Sequence, residues 1–87
     1  MAKAYAFFYD SLNDVEIVYR YASHEALEEH FDKLNYDCAK YGVQDYDAVE
    51  IDEGQARDII NKGRDKTMYT TVLFGKDVDF WYVGENR

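Results

Sequence analysis

The chain has 87 residues and a mass of 10.3 kDa, which leaves room for one domain with one core. Eighteen acidic residues against ten lysines and arginines give a formal net charge of −8, which argues against a phosphate-binding surface of the kind that nucleic-acid-binding domains carry. The apolar segments are too short to cross a bilayer, no apolar signal segment opens the chain, and Cys38 has no partner for an internal disulfide, so we expect a cytoplasmic protein without a membrane span.

A β-hairpin is predicted at the start of the chain. Residues 4–9 are rich in aromatic side chains, and the turn-forming residues 11–14 separate them from a second segment, 15–21. The odd-numbered residues of this second segment share one face: Val15, Ile17, Tyr19 and Tyr21. This alternation predicts a strand with its odd positions toward the core and its even positions toward water.

A helix is predicted to follow the hairpin, from His24 to Tyr41. Ser23 is placed to act as its N-cap, and Gly42 is the residue type that ends helices in a left-handed conformation. Apolar residues at helical spacing form one stripe: Leu27, Phe31, Leu34, Cys38 and Tyr41.

The second half of the chain predicts three strands and a short helix. Residues 46–51 form a strand that carries Val49 and Ile51 on one face. Asp52 and Gln55 have the spacing of a capping box, which opens a helix of two to three turns that ends near Gly63. Two segments rich in β-branched and aromatic residues, 67–74 and 78–83, are predicted to form a closing hairpin.

The predicted order of elements is ββαβαββ, over a single domain of residues 1–87. This order favours the α+β class. We expect a small two-layer sandwich, in which a mostly antiparallel sheet carries both helices on one face.

No motif predicts a catalytic, metal or cofactor site. His24 and His30 are six residues apart and point about 120° from each other on a regular helix, so they cannot chelate one ion, and we expect them to be solvated or close to a cap. The acids from Asp45 to Glu53 lack the residue order of a calcium loop. Cys38 lies on the apolar stripe, where a thiol is a small hydrophobic side chain. We therefore expect no enzyme.

The negative charge is concentrated in one segment. Residues 25–53 hold ten acids and two bases, whereas the flanking parts of the chain are almost neutral. On the first helix the acids occupy an arc opposite the apolar stripe, with Tyr36 among them and Lys33 as the one base placed to relieve their repulsion. Ordinary solvated helix faces mix charges of both signs, so this surface predicts a binding function. The candidate partner-binding residues are nine of these acids and one tyrosine: Glu25, Glu28, Glu29, Asp32, Tyr36, Asp45, Asp47, Glu50, Asp52 and Glu53.

In its size, its acidity and its lack of a catalytic motif, the chain resembles the small single-domain inhibitors that phages and mobile elements make against host nucleic-acid enzymes. These include DNA mimics and anti-CRISPR or anti-restriction proteins. The resemblance implies a stoichiometric inhibitor in the host cytoplasm, a monomer or homodimer whose carboxylates replace phosphates in the basic groove of a host nuclease or defence complex. Such a protein binds no nucleic acid itself. The alternative is an acidic adaptor or regulatory module that binds a basic protein surface unrelated to nucleic acid.

Overall fold

A computed structural model of the chain describes residues 3–42 and 46–85, and within them the seven predicted elements occur in the predicted order. The elements are β1 (Ala4–Asp10), β2 (Val15–Tyr21), α1 (His24–Tyr41), β3 (Tyr46–Ile51), α2 (Glu53–Lys62), β4 (Tyr69–Leu73) and β5 (Lys76–Glu85). The α+β class and the order ββαβαββ are thereby confirmed. The predictions for β2, α1 and β3 match the observed bounds, whereas β5 is longer at both ends than predicted.

The five strands form one antiparallel sheet in the order β3-β1-β2-β5-β4. The inner strands β1, β2 and β5 pair on both sides, in the hairpin β1–β2 and in the long-range pair β2–β5. β3 pairs with β1, and β4 pairs with β5. These two strands are therefore the opposite edges of the sheet.

The two helices lie on opposite faces of this sheet, so the expectation that both cover one face of a two-layer sandwich is wrong. Ala26 and Leu27 of α1 are buried against one face, with Ala4, Ala6, Phe8, Ile17, Tyr21 and Val78. Ala56 of α2 is buried against the other face, with Val18, Trp81 and Val83. The arrangement is three layers deep, helix on sheet on helix.

The strand order explains why the helices separate. β2 and β3 are both antiparallel to β1, so α1 is the helix of a crossover between two parallel strands. β4 runs in the same direction as β3, and α2 joins them by a second crossover that spans the sheet from one edge to the other. Strand crossovers are right-handed in nearly all proteins. The β2–α1–β3 and β3–α2–β4 crossovers traverse the sheet in opposite directions. If both are right-handed, their helices must therefore lie on opposite faces.

Burial on both faces changes the role of the even positions of β2. The odd positions Ile17 and Tyr21 face the core under α1, as predicted. Val18, which was expected to face water, is fully buried under α2. The centre of β2 therefore lies between two cores and has no solvent-exposed face.

The predicted helix caps are present. The Ser23 hydroxyl accepts a hydrogen bond of 3.2 Å from the Ala26 amide, and Gly42, at φ 67°, donates its amide to the Cys38 carbonyl over 2.9 Å. Asp52 and Gln55 form the complete capping box of α2, in which each side chain accepts from the other residue's amide, at 2.7 and 2.9 Å. Local sequence chemistry thus determines where both helices begin.

An aromatic band crosses all five strands on the α1 face. It holds one ring from each strand, in sheet order Tyr46, Phe8, Tyr19, Phe80 and Tyr69, with successive centroids 6.0, 4.8, 5.8 and 5.5 Å apart. Burial, with the neighbouring Tyr46 and Tyr82 and then Asp10, raises the pKa of Tyr19 to about 12, so its phenol stays neutral.

His30 of α1 packs onto this aromatic band, so the expectation of a solvated or cap-adjacent side chain is wrong for this residue. Its ring stacks on Phe8 with centroids 5.0 Å apart, and its Nδ1 lies 2.7 Å from the hydroxyl of buried Tyr21. Burial lowers the pKa of His30 below its ordinary value and raises that of Tyr21. The Tyr21 hydroxyl is therefore hydrogen-bonded to a neutral imidazole, and the tautomer of His30 decides which of the two groups donates.

The two ends of the apolar stripe of α1 differ in burial. We therefore expect substitutions at the two ends to change the free energy of unfolding by different amounts. Leu27 is 2% exposed and Tyr41 is 63% exposed, although both belong to the predicted stripe. Leu27→Ala should lower the free energy of unfolding by about 2–5 kcal/mol, because it leaves a cavity in the core. Tyr41→Ala should change it by less than about 0.5 kcal/mol. Urea unfolding of the two variants measures both, and equal losses would contradict this placement of α1.

The buried imidazole predicts a loss of stability in mild acid. The folded protein takes up the His30 proton at a lower pH than the unfolded chain, whose histidine titrates near 6.5. Between these values the unfolded state binds more protons, so the free energy of unfolding should fall as the pH is lowered from about 6.5. His30→Gln should flatten this decline in urea titrations between about pH 7 and 5.5, whereas His24→Gln should steepen it, because the raised pKa of His24 stabilises the folded state in acid.

Candidate partner-binding surface

Most of the acids predicted on α1 lie on the side of the helix that faces away from the sheet. Glu25, Glu28 and Asp32 are exposed there, opposite Leu27, as the angular pattern predicts. No hydrogen bond or ion pair to Glu25 or Asp32 occurs among the described residues. Their carboxylates are therefore available to a partner.

Glu29 leaves this group and binds the sheet instead. Its Oε1 lies 2.8 Å from the Nζ of Lys76, the first residue of β5, and both side chains are partly exposed. The hydrogen bond to Glu29 raises the pKa of Lys76 above its ordinary value. Glu29 thus joins α1 to the β4–β5 hairpin, a structural role that the sequence does not predict.

His24 connects the acids of α1 with an acid of β3. Its Nδ1 lies 2.7 Å from Glu28 Oε1, and its Nε2 lies 3.0 Å from Glu50 Oε1. The hydrogen bond and charge of Glu50, followed by those of Glu28, raise the pKa of His24 above its ordinary value. We call the four exposed acids Glu25, Glu28, Asp32 and Glu50, together with His24 between Glu28 and Glu50, the acidic surface.

The remaining predicted acids of the segment lie apart from the acidic surface. Asp47 is exposed on the α2 side of β3, because it alternates with Glu50 along the strand register. The Asp52 carboxylate accepts the α2 cap bond, and Glu53 pairs with Arg57 at 2.6 Å one helical turn later. Asp45 lies outside the described residues. The predicted site is therefore divided between α1 with Glu50 and the start of α2.

Tyr36 is exposed on the outer face of α1, as predicted, but two lysines lie beside its ring. The Nζ atoms of Lys33 and Lys40 lie 5.5 and 5.6 Å from the ring centroid. Lys33 also binds Asp37 at 2.7 Å, so it does not relieve the acids of the first turns as the sequence predicts. The purely acidic part of α1 is its first half, and Tyr36 borders it.

An apolar groove on the α2 face was not predicted. It has a volume of about 380 Å³ and is lined by Phe7, Glu16, Val49, Ile51, Ile59, Lys62 and Val83. The groove is left open because α2 has ten residues and covers only part of this face. The sequence signal for a second covered face is the adjacent pair Phe7 and Phe8 of β1, because neighbouring residues of a strand point to opposite faces. The alternation in β2 favoured a sheet with only one covered face.

Within residues 3–42 and 46–85, no three or more histidines, cysteines, aspartates or glutamates lie close enough together to hold a metal ion. Neither described helix is long and apolar enough to span a membrane. Comparison of the chain with models of protein families, with curated proteins and with solved structures finds no match. The chemistry of the acidic surface is therefore the basis for assigning a function.

The contacts of His24 predict how its titration responds to substitution. Nuclear magnetic resonance should show His24 titrating above its ordinary pKa and His30 below it, because their surroundings differ. Glu50→Gln should lower the pKa of His24 more than Glu28→Gln, since Glu50 makes the larger contribution. An unchanged His24 titration in Glu50→Gln would show that the contact between α1 and β3 is absent in solution.

Proposed function

We propose that the chain is a non-enzymatic, stoichiometric inhibitor of a nucleic-acid-binding protein, of the type that phages and mobile elements direct against host nucleases or defence complexes. It acts in the host cytoplasm and occupies the groove in which its target binds DNA or RNA. The observation that carries this proposal is the acidic surface, where exposed carboxylates from α1 and β3 lie together around one imidazole.

The spacing of the carboxylates supports mimicry of a phosphate backbone. Glu25, Glu28 and Asp32 follow one another at intervals of three and four residues, which places neighbouring side chains about 5–6 Å apart on a helix. Successive phosphates of a nucleic-acid strand are separated on a similar scale. A groove whose lysines and arginines bind phosphates can therefore accept these carboxylates in their place.

The energetics of the fold supports a role in binding, because folding gains little from this arrangement. Like charges three or four residues apart on a helix cost a few tenths of a kcal/mol per pair. Lys33, the base closest in sequence, binds Asp37 instead. Negative potential on one surface steers a basic partner toward it and speeds association at low salt.

The first experiment identifies the partner and its site. The purified chain, immobilised on a resin, is exposed to nuclease-treated bacterial lysate, and bound proteins are eluted with salt and identified by mass spectrometry. The captured protein is then titrated with a fluorescently labelled DNA or RNA duplex, with and without the chain. Competition for one site supports the proposal. A captured protein that binds no nucleic acid, or that binds the duplex and the chain together, supports the adaptor alternative and overturns mimicry.

Neutralising the acidic surface should weaken binding without unfolding the protein. We expect Glu28→Gln with Asp32→Asn to raise the dissociation constant of the captured complex at least about tenfold, because two phosphate-like charges are lost. The melting temperature should stay nearly constant, since the exposed His24 contact is lost but the repulsion between Glu28 and Asp32 is relieved. Fluorescence anisotropy and thermal melting measure the two effects.

The matched control removes the same charge elsewhere. Asp58 and Asp77 are exposed, on α2 and on β5, and neither belongs to the acidic surface. Asp58→Asn with Asp77→Asn should leave the dissociation constant within about threefold of the wild-type value, since distant charges act only through screened long-range attraction. Equal weakening by both double variants would mean that net charge, not this surface, determines binding.

A further inference from the structure

The outer edge of β4 has no charge along its whole length. Its five residues are Tyr69, Thr70, Thr71, Val72 and Leu73, and β4 pairs with β5 alone in the described part of the chain. Natural proteins protect such edges with charged residues, proline or a bulge, because an unpaired strand edge accepts another strand. The sequence has no proline, and the β4–β5 register runs from Tyr69 to Leu73 without a break.

The other edge of the sheet has the protection that β4 lacks. β3 carries Asp47 and Glu50, so a second β3 beside it would bring like charges together. Residues 54–87 hold six bases and five acids and are almost neutral, whereas residues 1–53 are strongly acidic. Two copies of a chain of net charge −8 can therefore approach most easily at β4.

Two copies of the segment around β4 are complementary to each other when they pair antiparallel about Thr71. This register places Thr71 beside Thr71 of the second copy, Thr70 beside Val72, Tyr69 beside Leu73 and Met68 beside Phe74. Every pair is uncharged, and threonine pairs and aromatic–aliphatic pairs stabilise neighbouring strands. Tyr69 also ends the aromatic band, so Leu73 of a second copy would extend the apolar surface of that band.

Phe74, at the tip of the β4–β5 hairpin, gives independent support. It adopts φ 54°, a left-handed conformation that is uncommon for a bulky residue and favours asparagine or glycine. Its side chain is half exposed, and Phe74 belongs to neither core cluster of the described residues. The two-residue turn requires a positive φ at both Phe74 and Gly75, and the choice of phenylalanine there places an exposed ring at the end of β4, close to where the register above brings Met68 of a second copy.

We propose that β4 is a homodimer interface, in which two chains pair antiparallel through their β4 strands about a two-fold axis at Thr71. The two five-stranded sheets then form one continuous sheet of ten strands. Glu50 and His24 lie at the opposite edge of the sheet, on and beside β3, so pairing at β4 leaves this part of the acidic surface free in both copies. The interface is independent of the proposed inhibitory function.

Lysine substitution at the two edges tests the proposal. Val72 on β4 and Val49 on β3 are exposed edge valines, 62% and 55% exposed, on the same face of the sheet. Sedimentation velocity should show the wild-type chain converting from monomer to dimer between about 10 μM and 1 mM, as expected for a small interface. Val72→Lys should raise the dimer dissociation constant at least about tenfold, and Val49→Lys should leave it unchanged.

Phe74→Asn separates the interface from the stability of the monomer. Asparagine adopts the left-handed conformation readily, so the melting temperature of the monomer should stay the same or rise, while dimerisation weakens several-fold. Amide exchange should show added protection on alternate residues of β4 at high concentration. A wild-type chain that stays monomeric up to about 1 mM overturns the proposal, even if β4 accepts a strand of another protein. A dimer that Val72→Lys and Phe74→Asn leave unchanged overturns it as well.

Discussion

The structure depends on inner strands that are apolar on both faces. Each of the three inner strands has two adjacent apolar residues at its centre, and each pair directs one side chain to each face: Phe7 with Phe8, Ile17 with Val18, and Phe80 with Trp81. A sheet of this kind cannot leave one face in water, because large apolar area would be exposed. Both faces must be covered, and the chain has one helix for each. The short α2 covers its face less completely, which leaves the apolar groove.

Burial of the inner strands leaves the sheet edges, the outer sides of the two helices and the apolar groove exposed. At the β3 edge, His24 links the strand to the helix through two carboxylates. At the β4 edge, Asp79 accepts hydrogen bonds from Arg20 Nε at 3.1 Å and from the Thr70 hydroxyl at 3.0 Å, and the bond with Arg20 lowers the pKa of Asp79. These contacts hold β4 to β5 and β2, so its outer edge is presented by a well-supported strand.

The helices and strands could be predicted because they depend on residues close in sequence. The faces that the helices cover and the division of the site could not, because they depend on contacts between distant residues. Ser23 and Asp52 mark the starts of their helices in the sequence, because each cap side chain binds the amide only three residues later. The face that each helix covers depends on strand order, which no local pattern contains. Three of the predicted acids of α1, Glu25, Glu28 and Asp32, do lie on its outer face, because helical periodicity alone decides this. The partners of Glu29 and Glu50 depend on tertiary contacts with Lys76 and His24, 47 and 26 residues away, so the division of the predicted site could not be foreseen.

The two proposed surfaces differ in the forces that form them, and this difference makes them separable. The acidic surface attracts a partner through charge, which salt screens over about 8 Å at physiological ionic strength. Protonation of His24 adds a positive charge between Glu28 and Glu50, so acid weakens the negative potential of this surface. The β4 edge is neutral and offers backbone hydrogen bonds and apolar contacts, which neither salt nor the titration of His24 removes. Salt that releases a basic partner should therefore leave a β4 dimer intact, and it would reduce the repulsion between two copies of an acidic chain.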